Sequence, residues 1–102
     1  MFGQAQEEIV DIDDSYDVIF VSDLFVENHV GGAELTSEAI IESSPFKVFK
    51  LRSSQVTMNV LEMNRTKFWI FGNYSSMDFN LIPTIISNIR YSIIEYDVFL
   101  HM

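Results

Sequence analysis

Asp17-Val-Ile-Phe-Val-Ser-Asp23 runs into Leu24-Phe-Val-Glu-Asn-His29-Val-Gly31-Gly32-Ala33-Glu34, and the reading of this stretch decides the fold. Val18 to Val21 is a continuous apolar run, the pattern of a strand buried on both faces of a parallel sheet. A polar loop follows, and a double glycine then opens a segment with partial helical periodicity. The spacing predicts a strand over 17–22 and a helix over 32–43. In open α/β sheets the ligand crevice lies beyond the carboxyl ends of the strands. A helix that starts there carries unpaired N–H groups and roughly half a positive charge, which suits an anion. Glycine at that point lets a phosphate or a sugar approach the backbone closely. For two adjacent glycines alone, a tight turn before a helix is the competing explanation.

Strand and helix patterns then alternate. In 32–43 the expected packing stripe is Leu35, Ala39 and Ile40, and Glu34 in the first turn gains about 0.3–1 kcal/mol from the helix dipole. Ser43-Ser44-Pro45 ends that helix, because proline disfavours helical geometry in the residue before it. A second strand is predicted over 46–51, with Lys47 and Lys50 near an edge or at its ends. Arg52 follows at its carboxyl end, where a guanidinium can pair with a carboxylate or a phosphate. A weaker helix spans 55–64 on Val56, Val60, Leu61 and Met63. Lys67-Phe-Trp-Ile-Phe71 is a third strand, and Gly72-Asn73 gives it a sharp exit. A helix covers 77–88, with Pro83 either kinking it or starting a second piece. Leu81, Ile82, Ile85, Ile86 and Ile89 supply its buried side. A fourth strand occupies 90–97, with Glu95 and Asp97 near its carboxyl end, and an apolar run follows over 98–102. The alternation predicts an α/β fold: a four-stranded parallel sheet in the order 3-2-1-4, with flanking helices and right-handed crossovers. No helix follows the last strand, so the expectation is an incomplete domain with one face open.

Composition narrows the classes. The 102 residues amount to one domain or less, and 48% hydrophobic content with nine Phe and one Trp is enough for a core and too much for disorder. A net charge of −9 argues against nucleic acid as a partner, since that affinity comes from Lys and Arg. A locally positive helix end can still hold a nucleotide within an acidic chain. There are no cysteines, which removes disulfide frameworks and cysteine-ligated zinc or iron–sulfur sites. No run of about 18 apolar residues suggests a transmembrane segment, and the first residues lack a signal-peptide pattern. A cytoplasmic chain is the expectation. Residues 1–16, with Glu7, Glu8, Asp11, Asp13 and Asp14, read as an acidic flexible tail with a short extended piece at 9–12. Asp11, Asp13 and Asp14 are oxygen donors but lack the glycine and distal glutamate of a calcium loop, so neither a metal nor a cofactor is assigned.

The strand ending in Val21-Ser22-Asp23 and the helix opening Gly31-Gly32-Ala33-Glu34 resemble the N-terminal Rossmann-like domain of retaining, sugar-nucleotide-dependent glycosyltransferases of the GT-B fold. Trp69-Ile70-Phe71-Gly72-Asn73 is similar to the W-I-x-G-N pattern that ends the family's third strand. The resemblance spans residues 17–97, and Gly31, Gly32 and Glu34 are its motif-grade positions. It implies that 17–102 is the N-terminal part of a glycosyltransferase domain. Gly31, Gly32, Ala33 and Glu34 would then face the donor's diphosphate and sugar, while Asp23, His29, Gly72 and Asn73 would shape the acceptor side of the cleft. The implied partners are a nucleotide-diphosphate sugar and an acceptor that the sequence does not name. The family's donor-binding C-terminal domain has no counterpart in these residues. The resemblance therefore implies a missing C-terminal domain or a partner chain, a segment inactive alone, and no assigned catalytic residue.

Glu34 and Glu42 have seven residues between them, a spacing the family uses in its C-terminal domain. Here the pair lies inside the first helix, where eight residues turn about 80° and advance about 12 Å, so the match is coincidence. The alternative to a glycosyltransferase segment is a non-catalytic Rossmann-like module that binds a nucleotide or a protein. A dinucleotide fold would carry G-x-G-x-x-G and a nucleotide hydrolase G-K-[ST], and neither is present. A phosphoacceptor receiver would need an Asp ending the third strand, where Phe71 stands before Gly72.

Overall fold

The computed structural model describes residues 10–94. In chain order it contains β1 (Val18–Ser22), α1 (Gly32–Ser43), β2 (Val48–Arg52), α2 (Met58–Met63), β3 (Phe68–Phe71), α3 (Ile82–Asn88) and β4 (Arg90–Ile93). Short 3₁₀ turns at Ser53–Gln55 and Phe79–Leu81 precede α2 and α3. The fold class is the expected one: α/β, with four parallel strands in a single sheet and helices against it.

Local chemistry moves several boundaries. The Thr57 hydroxyl accepts the Val60 N–H at 3.2 Å, so α2 starts at Met58 rather than Gln55. Met63, expected inside, is 72% exposed. Pro83 occupies the first turn of α3, where its missing N–H is no loss, so the 77–88 segment is a 3₁₀ turn and then a separate helix. β2 begins at Val48, leaving Phe46 58% exposed before it. β4 is described to Ile93; Glu95, Asp97 and the apolar run 98–102 lie outside the described residues, as do 1–9.

The strand order is β2-β1-β3-β4, not 3-2-1-4. β1 pairs with β2 from Val18–Val48 to Ser22–Arg52, and with β3 from Val18–Phe68 to Val21–Phe71. The physical reason is apolar content. Phe68-Trp-Ile-Phe71 is apolar towards both faces and needs two neighbours and two covers. β2 carries Lys50 and Arg52, and β4 alternates Arg90 and Ser92 with Tyr91 and Ile93; such strands tolerate an edge. The expected order would have put Lys50 in the middle and Phe68–Phe71 at the rim.

Reversing direction between β2 and β3 places the crossovers on opposite faces, as right-handed connections require. On one face Ile19, Val21, Leu51, Trp69 and Phe71 pack with Val56, Val60 and Leu61 around α2 and with Met77, Leu81, Ile85 and Ile89 around α3. Trp69 is fully buried there, and its indole N–H donates to the Asn64 carbonyl at 3.0 Å. Ile86, expected on the buried side of α3, is exposed. Val10, Ile12 and Tyr16, within the segment read as an acidic tail, also pack against this core. Lys67 Nζ holds that segment down, donating to the carbonyls of Asp13 and Tyr16 at 3.0 and 2.8 Å.

Among the described residues the opposite face is covered by α1 alone. Of its residues only Ser37 is buried, while Leu35 and Ala39, two of the three expected packing positions, are exposed. The stripe that turns inward is Ala33, Ser37, Ile40 and Ile41. Beneath the carboxyl half of α1 a groove of about 1050 Å³ opens between Ile40, Ile41 and Phe46 and the strand residues Phe20, Phe68 and Ile70.

Candidate functional site at the carboxyl ends of the strands

In this strand order the chain leaves β1 and β3 as neighbours but in opposite directions of winding, which makes their carboxyl ends the topological switch point and the crevice of the sheet. Asp23, one residue past β1, sits at that point. One carboxylate oxygen accepts the Ser53 hydroxyl, from the loop after β2, and the Ser76 N–H at 3.2 Å. The other accepts the Ser75 hydroxyl at 2.6 Å and the Ser75 N–H at 3.3 Å, from the loop after β3. Asp23 thus ties together the exits of three strands. Its partial burial works against the charge, but the hydroxyls of Ser53 and Ser75 and the amides of Ser76 and Ser75 outweigh it and hold the pKa below the ordinary 3.8. The carboxylate is ionised and occupied by donors, which suits a strut and not a proton acceptor.

The loop from Asp23 to Gly31 is anchored by Phe25, which is buried edge-on against Phe20 with ring centroids 6.2 Å apart. Asn28 closes a turn: its side-chain oxygen accepts the Phe25 N–H at 3.0 Å, and the Phe25 carbonyl accepts the N–H groups of Asn28 and His29. Lys50 then clasps this loop to α1. Its ammonium lies 2.8 Å from Glu27 and 2.6 Å from Glu38. Burial acts against the Lys50 charge, but the bonds to Glu27 and Glu38 dominate and raise its pKa.

Gly31 is the residue before the first turn of α1, with extended backbone and no side-chain cap. Around it the Glu34 carboxylate and the His29 imidazole converge. A side chain at Gly31 would place its first carbon 2.7 Å from Glu34 Oε1 and 3.2 Å from His29 Nε2. Nothing lies within 4 Å of the corresponding position at Gly32, which faces open space. Gly72 is buried, and its N–H donates to the Val21 carbonyl at 2.8 Å, extending the β1–β3 ladder past β3. No glycine among the described residues has a positive φ, so the sharp exit expected from Gly72 does not use glycine's special conformations. Asn73 follows, half-buried, at the same end of the sheet as Asp23. Gly31, Gly32, Ala33, Glu34, Asp23, His29, Gly72 and Asn73 therefore all lie on segments leaving the carboxyl ends of the two central strands. Among the described residues no group of three or more His, Cys, Asp or Glu is placed to hold a metal ion.

Sequence reasoning did not select Ser53, Ser75, Ser76, Phe25 or Lys50. The serine pairs Ser53-Ser54 and Ser75-Ser76, each just past a strand, were the available signal, because short hydroxyl side chains at strand exits readily bond a neighbouring carboxylate. In comparisons with known proteins the chain matches no family model, no curated protein and no solved structure.

Proposed function

We propose that the crevice between the carboxyl ends of β1 and β3 binds a nucleotide-diphosphate sugar. On this reading the chain is the N-terminal segment of a glycosyltransferase, acting on an acceptor together with a further C-terminal domain or a partner chain. The observation that carries the proposal is the Asp23 tie to Ser53, Ser75 and Ser76, which gathers the strand exits around the switch point beside the Gly31–Gly32 helix start. Backbone N–H groups at that start would meet the diphosphate and stabilise charge developing there as the glycosidic bond breaks. His29 and Asn73 would border the acceptor. The same engagement of Asp23 supports a second reading, a non-catalytic module that binds a nucleotide or protein, because its carboxylate is taken up by donors and is not free to act as a base. No helix among the described residues is long and apolar enough to cross a membrane. A cytoplasmic location is part of this proposal.

The test is a titration of the labelled protein with UDP-, GDP- and ADP-sugars, followed by amide chemical shifts. Saturable shifts at Gly31–Glu34 and Gly72–Asn73 are expected with one nucleotide. In Gly32→Ala those shifts should vanish while the melting temperature holds or rises, since the added methyl meets no protein atom within 4 Å and a bound ligand would feel it. No saturable shift with any of the donors sinks the proposal. Binding without sugar transfer, even with the C-terminal domain supplied, would select the non-catalytic reading.

A further inference from the structure

We draw no further inference here: the strongest candidate, the apolar groove between the carboxyl half of α1 and the sheet residues Phe20, Phe68 and Ile70, is an unpartnered face, and nothing in the structure shows what covers it.

Discussion

Asp23 accepts four hydrogen bonds from the loops after β2 and β3, and at the scale of single residues it is where the crevice is most easily broken. Hydrogen bonds to a charged group contribute about 1.5–3 kcal/mol when buried. Asp23 is only partly buried, so Asp23→Asn should cost about 1–2 kcal/mol at neutral pH, read as a lower urea midpoint. The sign of the pH effect follows from the depressed pKa. The stabilisation is present above the unfolded value, 3.8, and is lost as pH falls through the lower folded value. Glu27, bonded to Lys50, and Asp13, bonded to Ser15, are also depressed and act in the same direction. The native protein should therefore weaken below about pH 4, and Asp23→Asn should weaken less steeply there. Parallel urea midpoint–pH profiles for the two proteins would overturn this account. The two glycines separate just as clearly. Gly32→Ala replaces a helical glycine facing open space and should stabilise by about 0.5–1 kcal/mol. Gly31→Ala pushes against Glu34 Oε1, the end of a flexible chain that can swing aside, and should be close to neutral in thermal melts.

At the scale of elements, α1 is the weakly held one. Its buried side is a single residue, Ser37, with Ile40 and Ile41 half-covered above the groove. The Lys50 clasp to Glu27 and Glu38 therefore carries an unusual share of its attachment. Lys50 is partly exposed, so the pair energies are modest, about 1 kcal/mol together. Lys50→Met should leave β1 and β3 protected while amide exchange across α1 and residues 23–31 quickens about fivefold, equal to that energy. Uniform acceleration over the whole chain would show instead that α1 unfolds only with the rest. The weak packing also accounts for the departure of the buried stripe from the expected one. The apolar residues Leu35 and Ala39 were the natural choice on periodicity, yet the inward path passes through Ala33, Ser37, Ile40 and Ile41. Ser37 is fully buried on that path, so a short polar side chain stands where periodicity favoured an apolar one.

Over the described residues the sheet is asymmetric: one face is sealed by α2, α3 and residues 10–16, and the other is half open. Trp69 lies at the centre of the sealed face with no exposure, stacked on Phe71 at 6.0 Å. Trp69→Ala should cost about 3–5 kcal/mol, a large part of the 5–15 typical of a domain this size. Far-UV circular dichroism should then show the variant largely unfolded in dilute urea where the native protein is folded. A variant that melts with the native protein would mean the core lies elsewhere. The sequence by itself determined the α/β class, the parallel strands and the placing of glycine, aspartate and histidine at strand exits, because periodicity and turn chemistry are local and repeat within a few residues. Strand order was only partly legible: the lysines of β2 pointed to an edge, whereas only the sheet put Phe68–Phe71 between two neighbours. Only the tertiary structure decided that Asp23 meets Ser53, Ser75 and Ser76, and that Lys50 clasps α1. Those contacts join residues 30 to 53 and 12 to 23 positions apart; the first set exists because parallel pairing brings successive strand exits to one end of the sheet, and the second because the β1–β2 crossover lays α1 against the sheet.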